Sequence, residues 1–306
     1  MSATADVAIL VVNYHSHGLV SQLLDSIDRH TGGARVVVAI ADNSNHDAEH
    51  AALTSVATKQ RRSLASVMTS RTEGNVGFAA GNWHAWKCVE HHSPRIVITA
   101  NPDTVIRKGS LHDIAQAVAA EGPALWGART FQAGHIHSGI SRLAPHTGAS
   151  HPVDAPSSDT QSGLTYPGGH FLAMSSSVWK KYSGYSAAYF LYCEELDLKL
   201  RMLASVTTQA NVKVNLLPSF EVEHVGAATT QAGVVISTLS QVHANRSRVV
   251  LYRSHRVLRR YLPSLLFCRL TLALALAFRG RTGDARATLT GLASGLTARL
   301  DQTRGR

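Results

Sequence analysis

The stretch Val7-Ala-Ile-Leu-Val-Val-Asn13, followed by Tyr14-His-Ser-His-Gly18 and then Leu19, Leu23, Leu24 and Ile27, sets the pattern of the chain. An apolar, β-branched run from Val7 to Val12 stops at Asn13, and apolar residues at helical spacing over Gly18 to Asp28 follow it, so the reading is strand, then helix. The same cycle recurs as strand Arg35 to Ala41 with helix Asp47 to Gln60, then strand Leu64 to Thr69 with helix Phe78 to Glu90, and ends on strand Arg95–Ala100. Alternating strands and helices predict an α/β fold with a mostly parallel central sheet flanked by helices. In such a sheet ligands bind beyond the carboxyl ends of the strands. Four of those ends carry Asn13-Tyr14-His15, Asp42-Asn43-Ser44-Asn45, Gly74-Asn75-Val76-Gly77 and Asn101-Pro102-Asp103. Each alone reads as turn chemistry, but together they line one rim of one sheet.

Further along, Arg129 to Leu164 loses periodicity to Gly, Ser, His and Pro and is expected to be an exposed loop. A strand is expected within Tyr166 to Met174 after the pair Gly168-Gly169, and a helix over Ala188 to Leu203 carrying Glu194, Glu195 and Asp197. The chain of 306 residues holds 30 basic and 20 acidic residues, a net charge of +10. From His243 to Arg306 there are thirteen Arg, no Lys and two acids, a net of +11 that leaves −1 for residues 1–242. We therefore divide the chain into a domain over 1–240 and an Arg-rich, helical, amphipathic extension over 241–306, whose natural partner is an anionic surface. Within it, Tyr261–Phe278 is an apolar run broken by Pro263 and Arg269. It reads either as an element lying in a membrane interface or as a packed helical hairpin. Three dispersed cysteines argue against a disulfide scaffold, and the N-terminus reads as a first strand rather than a secretory leader, so the cytoplasm is the expected compartment.

Asp103 follows a strand and a turn, and Mg²⁺ or Mn²⁺ needs only one or two protein carboxylates when phosphates and water complete its shell. His224, at the end of another β-like run, adds a nitrogen. Three carboxylates within Glu194 to Asp197 crowd charge as functional sites often do. The plain alternative is a solvated helix with the i,i+4 pairs Glu195 with Lys199 and Asp197 with Arg201.

Seven blocks in order resemble the family 2 glycosyltransferases of the GT-A fold, especially their bacterial rhamnosyltransferase-like branch. They are Val11-Val12-Asn13-Tyr14, Asp42-Asn43-Ser44, Asn75-Val76-Gly77-Phe78-Ala79-Ala80-Gly81-Asn82, Asn101-Pro102-Asp103, Gly168-Gly169, Tyr192-Cys-Glu-Glu-Leu-Asp-Leu-Lys-Leu-Arg201, and His224. The resemblance implies that Asn13, Asp42, Asn43, Asn75, Gly77, Asn82 and Asn101 serve the nucleotide donor. It implies a divalent metal, Mg²⁺ or Mn²⁺, on Asp103 and His224, and an acceptor and sugar side at Gly168 and Gly169. Glu195 occupies the position of the catalytic base, with Glu194 the candidate if the register differs and Asp197 and Arg201 in support. The implied function is an inverting hexosyltransferase that moves rhamnose, or another hexose, from a nucleoside-diphospho-sugar to an acceptor hydroxyl in cell-surface polysaccharide or glycolipid synthesis. The donor favoured is of the dTDP-rhamnose type, with UDP-hexose second. The acceptor implied is a saccharide or lipid-linked saccharide, and the Arg-rich tail with the Tyr261–Phe278 run points to the inner face of the cytoplasmic membrane as the place where it is met.

Two readings from other classes differ. A nucleic-acid-binding protein would use the Arg-rich tail on phosphates, but leaves the acidic Glu194–Asp197 cluster without a role. A sugar nucleotidyltransferase would show a Gly-rich basic turn after the first strand, where this chain has Asn13-Tyr14-His15-Ser16-His17-Gly18. No nucleic-acid partner is expected.

Overall fold

The computed structural model describes residues 4–153, 163–205, 212–224 and 237–300. The opening cycles form β1 (Val7–Asn13), α1 (His17–Arg29), β2 (Val36–Asp42), α2 (Asp47–Thr58), β3 (Leu64–Arg71), α3 (Gly77–Val89) and β4 (Ile96–Ala100). Every residue of β1, β2 and β4 is buried. That is why these strands read as unbroken apolar runs: a parallel sheet is covered on both faces. Alternation along β1 sends Val7, Ile9 and Val11 to one core with Leu23, Leu24 and Ile27 of α1. Ala8 and Leu10 face the other core, with Trp86 of α3 and Trp179.

Strands β3, β2, β1 and β4 pair in that order, all parallel. The chain steps outward from β1 to β2 and β3, then returns to the other side of β1 with β4. That reversal opens a crevice at the carboxyl ends of β1 and β4, where Asn13 and Asn101-Pro102-Asp103 lie.

The remaining elements are β5 (Thr104–Lys108), α4 (Leu111–Ala120), β6 (Ala124–Gln132), β7 (His135–His137), β8 (Ile140–Ala144), β9 (Ala149–Pro152), β10 (Thr165–Pro167), β11 (Phe171–Ser175), α5 (Ser176–Lys181), α6 (Glu194–Ser205) and β12 (Lys213–His224). Beyond β4 the sheet continues β11-β6-β12-β5, with β7 on β6. Here the pairing is mixed: β11 runs antiparallel to both β4 and β6, β12 parallel to β6 and antiparallel to β5. The expected loop over 129–164 is corrected. It contains the end of β6 and the strands β7, β8 and β9, and a second, antiparallel sheet forms in the order β10-β8-β9. Strands of three to five residues, most with part of their surface in solvent, leave no long apolar alternation to read. The central part of the expected excursion, 154–162, lies outside the described residues.

The helix expected over Ala188 to Leu203 begins only at Glu194. Tyr192 and Cys193 adopt φ of 72° and 74°, left-handed backbone that no α-helix accommodates. The C-terminal segment is helical: α7 (Thr238–Ser254), α8 (Arg256–Arg259), α9 (Leu262–Phe278) and α10 (Thr282–Thr297). Val249, Tyr252, Leu258 and Leu265 pack with Leu143, Tyr189, Leu196 and Leu200 into a third core. One face of the extension is thus a packed cap. Some of its arginines are tied to backbone carbonyls: Arg246 donates to Ala188, Arg253 to Gly295 and Ala298, and Arg259 to Arg253. The outward face of α9 is bare, with Phe267 68%, Leu274 60% and Phe278 90% exposed. No helix among the described residues is long and apolar enough to cross a membrane.

Candidate active site

Asn13 ends β1 fully buried and organises the rim. Its side-chain nitrogen donates to Asp42 at 3.1 Å and Glu49 at 3.1 Å and lies 3.3 Å from the Ser44 hydroxyl. Its side-chain oxygen accepts from the backbone and hydroxyl of Ser16. Asp42, likewise buried, accepts from the Ser44 backbone N–H at 3.1 Å and contacts His50 Nδ1 at 3.0 Å. Burial alone would raise its carboxyl, but the hydrogen bonds from Ser44, His50 and Asn13 hold it below the usual range. Asn13 and Asp42 therefore brace the rim from behind rather than face the crevice, and nothing about their residue types in sequence separated bracing from contact.

Asn43 reaches the crevice itself. Its Nδ2 donates to the Gly77 carbonyl at 3.0 Å, and its Oδ1 accepts from Thr72 at 3.0 Å. Asn75 Oδ1 accepts from the Gly77 backbone N–H at 3.1 Å, fixing the turn that opens α3. Gly77 has a φ of 84°, and a side chain there would overlap the Phe190 carbonyl. Asn82 is buried one turn into α3, donating to the Phe78 carbonyl at 2.9 Å; like Asn13 it supports the wall. Asn43, Asn75, Gly77, Asn101 and Asp103 line a cleft of about 380 Å³ that Tyr14, Phe190 and Leu239 make partly apolar.

The β5–β12 register pairs His224, which lines the neighbouring cleft, with Thr104, and this brings His224 Nε2 to 3.2 Å from Asp103 Oδ2. One carboxylate and one imidazole fit a Mg²⁺ or Mn²⁺ ion whose other positions are filled by diphosphate oxygens and water. Among the described residues no cluster of three or more His, Cys, Asp or Glu surrounds this pair. His170 stacks on His224 with ring centroids 4.9 Å apart and contacts the Thr130 hydroxyl through Nε2 at 2.7 Å. Enclosure of the ring, and then the neighbouring His224, push His170 down to about 3, so it stands as a neutral spacer behind the pair. With seventeen histidines in the chain, only strand pairing singles this one out.

Contiguous with this cleft, through Phe78, Asn101 and Leu191, lies a second of about 320 Å³. Gly169, Tyr166, Tyr192, Glu194, Glu195 and Arg248 line it. The solvated-helix reading of α6 fails here. Glu194, Glu195, Asp197 and Lys199 are all buried, and Lys199 donates to the Thr165 carbonyl at 2.6 Å. The Asp197–Arg201 pair does form, at 2.7 Å, but inside the protein. Asp197 also accepts from Tyr189 at 3.0 Å and meets His255 Nε2 at 2.8 Å. Its burial, which would raise it, is outweighed by His255 and Arg201, and it stays ionised. Arg201 extends to the Tyr182 and Gly184 carbonyls, locking α6 in place.

The two glutamates meet the opposite fate. Burial raises Glu195 to about 7, offset only by its own backbone hydrogen bond. Burial and then the Glu195 charge also raise Glu194 well above its ordinary value, and among the described residues its Oε1 has no hydrogen-bond partner. A carboxyl near 7 is matched to proton abstraction at neutral pH. Gly169 faces Glu195 so closely that a Cβ there would overlap Oε1, and one on Gly168 would press the His170 ring at 2.8 Å. The glycine pair thus makes the room in which the Glu195 carboxylate stands. Immediately before, Tyr192 and Cys193 hold strained backbone, the kind of cost that persists where surrounding structure imposes it. Sequence reading missed Tyr166, Tyr192, His243 and Arg248, of which the last two arrive on α7 from the basic extension.

No known family model matches the chain, and no curated protein matches it in sequence. Solved structures do resemble it in three dimensions. Residues 1–349 of TarS from S. aureus in complex with UDP-GlcNAc superpose with a TM-score of 0.57 at 14% identity, over 96% of this chain and 81% of that one. A mannosyltransferase from Pyrobaculum calidifontis, in complex with GDP-Man and Mn²⁺, gives 0.54 at 13% identity over 97% and 88%. GalNAc-T7 with UDP, GalNAc and Mn²⁺ gives 0.54 at 10% identity over 72% of this chain and 44% of that one. The chain has the GT-A fold. In GT-A terms the parallel half of the sheet carries the first cleft, and the mixed half carries the Asp103–His224 pair and the wall facing α6.

Proposed function

We propose that the protein is an inverting, metal-dependent glycosyltransferase that uses a nucleoside-diphospho-sugar. The observation that carries this reading is the pairing of a buried glutamate poised near neutrality, Glu195, with an Asp103–His224 pair across one continuous crevice. The nucleotide lies in the first cleft, along Asn43, Asn75 and Gly77. The acceptor enters the second, over Gly168 and Gly169. Glu195 takes the proton from the acceptor hydroxyl as its oxygen bonds to the anomeric carbon, and the bond from that carbon to the diphosphate breaks. Asp103 and His224 would hold the divalent cation, which when bound would supply Lewis-acid stabilisation of the diphosphate leaving group. One displacement inverts the anomeric centre. Asp197, Arg201 and His255 keep α6 fixed so that the base stays aligned.

The motif blocks favour a dTDP-rhamnose type of donor, with UDP-hexose second; the structural relatives carry UDP- and GDP-linked sugars. We assign the chemistry to the domain over 1–240, with the first helix of the extension, α7, adding His243 and Arg248 to the walls of the crevice. The bare apolar face of α9, with exposed arginines at both ends, supports a peripheral seat on the inner face of the cytoplasmic membrane, where a growing polysaccharide or glycolipid is met.

The test is thermal unfolding with Mn²⁺ or Mg²⁺ and dTDP, UDP, GDP or ADP. A ligand at one hundred times its dissociation constant adds about 2.7 kcal/mol to native stability. A metal-dependent rise selective for dTDP or UDP, lost in Asp103→Ala, is expected. The absence of any rise with all four nucleotides overturns the reading.

A further inference from the structure

Arg248 of α7 and Arg269 of α9 come together over the turn between β8 and β9. Arg248 Nε donates to the Gly148 carbonyl and Arg269 donates through a terminal nitrogen to the Thr147 carbonyl, both at 2.9 Å. Gly148 has a φ of 67°, and a Cβ on it would stand 3.2 Å from Arg248 Cδ and 3.7 Å from the Arg269 terminal nitrogen, so one small residue sits between both side chains. Among the described residues neither guanidinium forms an ion pair with a carboxylate. Arg269 Nε is buried without a partner. Burial, and then the charge of Arg248, push Arg269 down to about 10. Two half-buried cations held side by side without an anion is a costly arrangement. Other arginines escape that cost: Arg201 of α6 has Asp197, and Arg281 of the extension has Asp284.

Arg248 also lines the cleft that contains Glu195, beside Tyr166 and Gly148. Arg269 lies on the same helix as Phe267 and Leu270, whose side chains are exposed. A ligand between the two arginines would therefore reach the base on one side and the apolar face of α9 on the other.

We propose that Arg248 and Arg269 form an anion subsite that holds a phosphate or diphosphate ester of the acceptor. This rests on the glycosyltransferase reading and names its acceptor class. Two guanidiniums with several free N–H groups match the charge and the multiple acceptor oxygens of a phosphate better than a neutral sugar hydroxyl. The subsite is separate from the Asp103–His224 pair, so the two are distinguishable by mutation.

Binding to the full chain is measured by calorimetry in EDTA, so that no divalent metal assists the donor cleft, with three probes: sodium pyrophosphate, farnesyl diphosphate and farnesol. The expected result is that farnesyl diphosphate and pyrophosphate both bind and farnesol does not, that the prenyl ester binds more tightly, and that Arg269→Gln or Arg248→Gln weakens both by at least about tenfold, as loss of a charge-assisted hydrogen bond requires. Arg248→Lys and Arg269→Lys keep the charge and guard against misfolding; intermediate affinity is expected. Asp103→Ala should leave this binding unchanged. Binding of pyrophosphate alone, with no gain from the prenyl chain, would assign the site to free phosphate and overturn the acceptor assignment. Binding lost in Asp103→Ala but kept in the arginine variants, or no binding at all, overturns the subsite and leaves the arginines as struts on the turn. Failure of the nucleotide panel with persistence of this binding would instead sink the donor reading alone.

Discussion

Replacing Glu195 by Gln should make the protein more stable and nearly inactive, and the size of the first effect should depend on pH. Glu195 is 9% exposed, and burial lifts its carboxyl from 4.5 to about 7. At 1.36 kcal/mol per pH unit this corresponds to about 3 kcal/mol between the native and unfolded chains. The sign follows from proton binding. Between pH 4.5 and 7 the unfolded chain has released this proton and the native chain has kept it, so native stability falls as pH rises through that window. The Gln variant keeps the shape and lacks the slope. Its advantage over wild type should grow from near zero at pH 4.5 to its full value above pH 7. Glu194 adds to the gain, because the Glu195 charge that raises its carboxyl is gone; at least about 3 kcal/mol, or roughly 5 °C, is the expected net effect. Thermal unfolding in EDTA at pH 5 and pH 8 measures it. Turnover should fall by about 10² to 10⁴, the usual contribution of a general base. A melting difference that is the same at both pH values would refute the buried-charge argument, and a variant with more than about a tenth of wild-type turnover would refute the role as base.

Three further expectations follow from single contacts. Gly169→Ala places a methyl group against Glu195 Oε1 and should lower turnover strongly while costing about 1–3 kcal/mol of stability; wild-type kinetics in a well-folded variant would show that the base stands elsewhere. Tyr192→Gly relieves left-handed backbone at a 43% exposed residue and should raise stability by about 1 kcal/mol at the expense of acceptor use, as denaturant titration and acceptor KM would reveal. Phe267→Glu with Phe278→Glu leaves the packed face of α9 untouched, so the melting temperature should stay constant. Cosedimentation with anionic vesicles should drop about tenfold or more for each residue, since burying a Phe is worth about 1.5–3 kcal/mol; undiminished binding would remove α9 from the membrane contact.

Much of the framework was legible in residue order. Unbroken apolar runs at β1, β2 and β4 could belong only to strands covered on both faces, and the helices between them carried their periodicity openly. The polar residues after those runs, Asn13, Asp42, Asn43 and Asn101 to Asp103, marked the rim because strand direction alone places carboxyl ends together. What each does there was not legible. Asn13 and Asp42 turn inward into a mutual hydrogen-bond network, while Asn43 and Asp103 face the crevice, and that difference depends on packing from α1 and α2. The short strands between Gln132 and Pro152 gave no signal because three to five residues with mixed exposure have no period to detect.

The sequence by itself determined the alternation of strands and helices, hence the parallel half of the sheet and its ligand-binding edge, since these follow from local hydrophobic pattern. Only the tertiary structure decided the chemistry of the site. Strand register set His224 beside Asp103 across some 120 residues. Burial turned the Glu194–Asp197 cluster from a solvated helix face into one ionised anchor and two carboxyls of raised affinity for protons. Packing of the extension brought Arg248 and Arg269 to one turn. Each of these depends on distances and dielectric surroundings between segments far apart in the chain, which no spacing within one segment encodes.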